Sequence, residues 1–194
     1  MTIRLGFVGL SAKGWASMML APPLLQPPLD SLYSLEAVST TNADSAATSA
    51  TKWSELAKRP VKSYYGPTSA IAADPELDLV VVAVNAPQHK AAAMPVIEAG
   101  KDIFVEWPVG KSLQETLEIA EAAKKKGIRS MVGAQGRQTP TIRKVSCQRG
   151  TLRCDSNDDT HPWIDQVYHR VWPDWTRPLI DLRKPTVLSR DDAR

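Results

Sequence analysis

Cysteine is scarce in this sequence: Cys147 and Cys154 are the only two in 194 residues. That count argues against a secreted domain held by disulfides and makes a reduced intracellular setting the default. Histidine is nearly as scarce, with three. A zinc site built from the two cysteines with His161 and His169 would lack any C-x-x-C or H-x-x-x-H spacing, so no metal is expected. No run of about 18 apolar residues occurs, and no membrane span is expected. The N-terminus goes directly into a strand pattern rather than a signal peptide. An excess of charge is missing too. The formal net charge is +3, and the basic residues are scattered, which gives no reason for direct nucleic-acid contact. The one cluster, Lys124-Lys125-Lys126, closes a predicted helix, where cations suit the helix dipole. A cytoplasmic location is expected, or a nuclear one.

What is present is a hydrophobic fraction of 43% and a charged fraction of 23%, the balance of a soluble globular domain. The length holds one domain with an appendage. The chain is organised around Ile3 to Trp15. A β-forming run, Ile3 to Val8, goes straight into Gly9-Leu10-Ser11-Ala12-Lys13-Gly14. This is the dinucleotide-binding fingerprint G-x-G-x-x-G with Ser11 at the second glycine. Gly9 lets the chain turn off the strand. Position 11 is where the backbone comes closest to a pyrophosphate. Gly14 lets the following helix pack on the strand. The helix N-terminus offers N–H groups to the phosphates.

The rest alternates strand and helix. Pro22-Pro23 cuts the first helix, and Pro27-Pro28 keeps the chain irregular to Asp30. Leu35 to Ser39 is a strand. Thr40 then holds the place of the acidic residue that bonds the ribose 2′-OH in NAD-binding units. No carboxylate there repels a 2′-phosphate and no arginine invites one, so NAD and NADP both stay open, with a slight tilt to NADP. Ala43 to Arg59 reads as a helix capped by Asn42, with Trp53 and Leu56 on its buried side. A short strand (Val61 to Tyr65) and a short helix (Thr68 to Ala73) follow. Leu77 to Val84 is almost unbroken apolar sequence, the mark of a central parallel strand. A helix from Lys90 to Ala99, a strand from Asp102 to Glu106, a helix from Ser112 to Lys126 with Glu115 completing a capping box, and a strand from Ile128 to Gly133 complete the pattern. The predicted fold is a doubly wound α/β parallel sheet of the Rossmann type. Its C-terminal edge gathers Gly9 to Gly14, Asn85 to His89, Glu106 to Pro108, and Gln135-Gly136-Arg137.

Residues 3 to about 145 resemble the N-terminal domain of the Gfo/Idh/MocA oxidoreductase family. The resemblance rests on Gly6 to Gly14, on Leu77 to Val84, on Pro87-Gln88-His89, and on Glu98-Ala99-Gly100-Lys101-Asp102-Ile103-Phe104-Val105-Glu106. The last of these matches a family pattern A-G-K-H-V-x-x-E-K-P. It implies that Pro87, His89 and Glu106 surround an NAD or NADP cofactor. Cofactor contacts are thus expected at Gly9, Leu10, Ser11, Ala12, Lys13, Gly14, Thr40, Asn85, Pro87, His89, Glu106 and Trp107. The family's enzymes carry a lysine between the glutamate and the proline, where this chain has Trp107. An indole has no useful acid or base, though it can stack. His89 is the remaining candidate acid, with helix capping as its plainer role. Trp15 is open between core and ligand.

Glu106-Trp107, Ala12-Lys13-Gly14-Trp15 and Gln135-Gly136-Arg137-Gln138-Thr139-Pro140 resemble a fungal branch of the family concerned with regulating galactose and lactose metabolism. That branch implies a repressor-like protein that binds NAD(P) and partners a transcriptional activator. The alternative is an NAD(P)-dependent oxidoreductase that moves hydride to or from a hydroxyl or carbonyl substrate such as a sugar or polyol. After Ser146 the character changes. Residues 146–194 hold no glutamate, against eight before them, and three of the six tryptophans. The family's second, sheet-rich domain is not visible there. The expectation is a dinucleotide-binding domain over 1–145 and an atypical, poorly ordered tail over 146–194, as in a truncated chain or a misread gene.

Overall fold

A computed structural model describes residues 2–134. The expectations for the tail, for Gln135 to Pro140 and for the cysteines lie outside these residues. Six strands form one sheet: β1 (Ile3–Val8), β2 (Tyr33–Thr40), β3 (Lys62–Tyr65), β4 (Leu79–Val82), β5 (Asp102–Glu106) and β6 (Ser130–Gly133), in the order β3-β2-β1-β4-β5-β6. Every neighbouring pair is parallel. This is the doubly wound order that the alternation of strands and helices predicts.

The helices are α1 (Trp15–Met19), α2 (Leu29–Leu32), α3 (Ala43–Ala57), α4 (Thr68–Ala72), α5 (His89–Glu98) and α6 (Leu113–Lys126). They cover both faces of the sheet. Leu5, Phe7, Leu79, Val81 and Phe104 point to one core with Trp53 and Leu35, while Val8, Val80, Val82, Ile103 and Val105 point to the other with Ile97 and Ile119. All four residues of β4 are buried, which is why its sequence reads as an apolar run rather than an alternation.

Helix ends follow the sequence signals. Asn42 accepts the Ser45 N–H with its side chain, and Ser112 accepts the Glu115 N–H. The Glu115 carboxylate reaches back to the Lys111 N–H, one residue before the cap. Gly127 closes α6 at φ +72°, behind Lys124, Lys125 and Lys126.

Three readings need correction. The stretch 22–32 is not irregular: Pro22–Leu25 forms a 3-10 turn and α2 follows. Proline is at home at a helical first position, and Leu24 and Leu29 anchor these turns in the core. Leu56 is exposed rather than buried. The buried stripe of α3 is Ala46, Ser49, Ala50 and Trp53, and continued at about 100° per residue it passes nearer Ala57 than Leu56. The central strand is also shorter than its apolar run, because Leu77 and Asp78 serve its entrance. The Asp78 carboxylate takes the Arg4 backbone N–H and both arms of the Arg4 guanidinium.

The Asp74 side chain is buried beneath β3. It accepts hydrogen bonds from Lys62 Nζ at 3.0 Å, the Tyr64 hydroxyl at 2.9 Å and the Glu76 N–H at 2.9 Å. Burial alone would raise this carboxyl, but the three donors outweigh it and hold it below its ordinary value. A carboxyl lowered by folding stabilises the fold above its unfolded value of about 3.9, and that stability is lost as pH falls through the folded value. Asp74→Asn is therefore expected to lose about 1–3 kcal/mol at pH 7. The gap to the wild type should narrow towards pH 3. Urea unfolding at the two pH values checks this.

Candidate functional site

In a doubly wound sheet, the loops at the C-terminal strand ends diverge where the winding reverses, here between β1 and β4, and a crevice opens. A cleft of about 890 Å³ lies at that point, within the size range of small-molecule sites. Five turns line it. Gly9, Ser11 and Gly14 follow β1, and Thr40 ends β2 with Thr41 and Ser45 beyond it. Gly66, Pro67 and Thr68 follow β3. Asn85 and Gln88 follow β4, and Glu106 ends β5 with Trp107 beyond it.

The glycine turn is shaped by close contact. Gly9 has φ +93°, and a Cβ there would overlap the carbonyl of Ala83 at the end of β4. Gly14 has a different role from the expected helix–strand packing. The Ser11 hydroxyl folds into the space that a Gly14 side chain would occupy. The helix after the turn, α1, has only five residues, so its dipole is small and the turn's own amides matter more. Among the described residues, no acceptor takes the Ala12 or Lys13 N–H. Successive free amides of this kind suit an anion.

Other expected site residues fall into two groups. Thr40, Asn85, Glu106 and Trp107 line the cleft with Gly9, Ser11 and Gly14. Leu10 is fully buried in the core and meets no cleft. Ala12, Lys13 and Pro87 are not among the residues that line it. Pro87 lies in the 3-10 turn Ala86–Gln88 and shapes the loop.

His89 is 1% exposed. Its Nδ1 lies 2.7 Å from the Pro108 carbonyl and its Nε2 2.9 Å from the Val84 carbonyl. The ring lies between the β4 and β5 loops, and a ring N–H donates to one of these carbonyls. It does not cap its helix, and it is not among the described residues that line the cleft. Trp15 is 49% exposed and lines the cleft, and Trp107 is 70% exposed. Glu106 is almost buried, and its carboxylate occupies the space left by the missing side chain of Gly133.

Sequence reasoning missed Gly66-Pro67-Thr68, Thr41 and Ser45, and placed Gln88 only within its loop. The signal was available, since every strand-to-helix turn of a parallel sheet reaches the same edge. Glu106 is the sole acidic or basic side chain lining the cleft among the described residues.

Residues 3–134 match the model of the Gfo/Idh/MocA oxidoreductase family, described as an NAD-binding Rossmann fold. The chain belongs to that family. It is 37% identical over 145 residues to the dehydrogenase aclE of Aspergillus oryzae, a match covering 74% of this chain and 38% of that protein. It is 32% identical over 149 residues to the galactose/lactose metabolism regulatory protein GAL80 of Saccharomyces cerevisiae, covering 72% of this chain and 32% of that one. A crystal structure of a super-repressor mutant of Gal80p superposes with a TM-score of 0.66 at 28% identity, over 77% of this chain and 39% of that one. A 3-ketoreductase of Actinomadura kijaniata, crystallised with NADP, matches at 22% identity with a TM-score of 0.63 over 77% of this chain and 44% of that one, and so shares the fold. The chain spans under two fifths of the length of its curated relatives aclE and GAL80. Among the described residues, no helix is long and apolar enough to cross a membrane.

The two left-handed glycines near the cleft make a controlled comparison. A Cβ at Gly66, φ +77°, meets nothing within 4 Å. Gly66→Ala should therefore carry only the left-handed penalty of about 1–2 kcal/mol. Gly9→Ala carries that penalty and the clash with β4. It is expected to unfold the chain at a clearly lower temperature than Gly66→Ala, by calorimetric melting of both variants.

Proposed function

We propose that this cleft binds NAD or NADP and that the chain is a regulatory, cofactor-sensing member of its family rather than a redox enzyme. The residues fit a dinucleotide. Gly9 lets the turn pass against the Ala83 carbonyl, Gly14 leaves room for the Ser11 hydroxyl, and the Ala12 and Lys13 amides offer donors for a pyrophosphate. Thr40, Thr41 and Ser45 offer hydroxyls at the β2 end, and the indoles of Trp15 and Trp107 offer flat surfaces to a ring. A bound nicotinamide cofactor would supply hydride chemistry. This chain's residues would hold it and exclude water from it. The unit that does so is inferred to be residues 1–145.

The observation that carries the regulatory reading is the poverty of the cleft in acids and bases. Glu106 is its single ionisable side chain among the described residues, Trp107 stands at the lysine position of the family pattern, and His89 is buried away from the cleft lining. Moving a proton to or from a substrate hydroxyl needs a positioned acid or base. The similarity to GAL80, a regulatory protein of galactose and lactose metabolism, supports a protein partner of the transcriptional-regulator kind, and a cytoplasmic or nuclear location is proposed with it. The similarity to the dehydrogenase aclE favours the second reading, hydride transfer with a hydroxyl or carbonyl substrate such as a sugar or polyol.

Calorimetric titration with NAD, NADH, NADP and NADPH tests the binding. Micromolar affinity is expected, about −8 kcal/mol. NAD and NADP should fall within about tenfold of each other, because Thr40 neither repels nor pairs with a 2′-phosphate. Thr40→Asp is expected to weaken NADP by about tenfold or more and to spare NAD. Absence of binding in a folded protein overturns the dinucleotide reading. Cofactor reduction in the presence of sugars or polyols, followed by absorbance, overturns the regulatory one and leaves the dehydrogenase.

A further inference from the structure

Two side chains of α3, Ser49 and Lys52, lie three residues apart and both reach the glycine turn. Ser49 donates its hydroxyl hydrogen to the Leu10 carbonyl. Lys52 Nζ donates to the Ala12 carbonyl at 2.7 Å and to the Ser17 hydroxyl at 2.9 Å. Ser17 in turn donates to the Ala12 carbonyl at 3.3 Å. The Lys52 ammonium stands 5.2 Å from the centroid of the Trp53 ring, and among the described residues it makes no salt bridge. A partly buried cation is thus devoted to a backbone carbonyl of the turn.

The consequence follows from peptide geometry. In a trans peptide the N–H of the next residue points opposite to the carbonyl. Holding the Ala12 carbonyl towards α3 turns the Lys13 N–H the other way, where no described residue accepts it. If the peptide flipped, the carbonyl would face an incoming anion and the amide would be lost to it. Loop backbones with free amides are otherwise free to sample both orientations. The ammonium also sets a positive charge directly behind the turn.

We propose that Lys52 is a positioning residue for pyrophosphate binding. It fixes the Ala12–Lys13 peptide so that its amide faces the phosphates, with Ser17 as its accessory. The proposal rests on the dinucleotide reading of the cleft and deepens it.

ADP and adenosine are the probes, titrated against the 194-residue chain. Lys52→Met keeps most of the stem and removes the donors. It is expected to raise the Kd for ADP and for NADP about tenfold, while leaving that for adenosine within about twofold. Lys52→Arg, which can also donate to two acceptors, should restore ADP binding to within about threefold of wild type. Ser17→Ala, a milder change, should weaken ADP about threefold and again spare adenosine. If Lys52→Met does not fold, Ser17→Ala decides the matter. Unchanged ADP affinity, or equal losses for ADP and adenosine, overturns the positioning role while wild-type binding stands. A folded wild-type chain that binds neither ADP nor any dinucleotide overturns the reading of the cleft, and the role of Lys52 with it.

Discussion

The contact between Gly9 and the Ala83 carbonyl is the constraint on which the site depends. β1 and β4 lie side by side at the centre of the sheet, paired from Leu5 to Val8. Where they end, the chain must leave β1 upward without pushing β4 aside. Only a residue without Cβ, at φ +93°, can do so here. The crevice exists because the two central strands stay close to their last residues and then part. The other turns that line it start from this pair, from β2 and β5 packed beside it, or from β3 one strand further out.

The sheet can hold that contact because its centre is buried on both faces. Val80 and Val82 face one core while Leu79 and Val81 face the other. Two hydrophobic layers pinning four consecutive residues leave little room for the strand end to drift. The loops then need only local fastening. His89 packs between the β4 and β5 loops with a ring nitrogen close to a carbonyl of each, and Ser49 fastens the glycine turn through the Leu10 carbonyl. A rigid sheet with braced turns is a scaffold on which a binding geometry is set before any ligand arrives.

Much of this was legible in the sequence because the signals are local. Asn42, Ser112 and Gly127 mark helix ends by side-chain and backbone chemistry that needs no distant partner. The run at Leu77 to Val84 announces a covered strand. The parallel order follows from the alternation of elements. What could not be read depends on the third dimension. That Ser11 folds over Gly14, or that Gly133 makes room for Glu106, is decided by residues brought together only when the strands align. His89 shows the same limit. Its position in the chain suggests a loop that reaches the cofactor, yet its ring is drawn inward by carbonyls at Val84 and Pro108, and the second of these lies nineteen residues away. Leu56 failed for a simpler reason, since an apolar residue near the end of a helix tests the angular period poorly.

The distribution of charge in the cleft bears on why such a site would be kept. Binding a cofactor and transforming it make different demands. Binding is served by shape, amides and hydroxyls that act alike on every state of the ligand. Catalysis needs interactions that strengthen only at the transition state, usually through a group that gives or takes a proton. The described cleft is well supplied with the first kind and holds a single candidate for the second, Glu106, packed against Gly133 and almost out of solvent. On the proposed reading, a protein that reports the presence of a dinucleotide gains nothing from turning it over. Losing the proton-transfer group while keeping the cradle would convert an enzyme's cofactor site into a sensor without any change of fold.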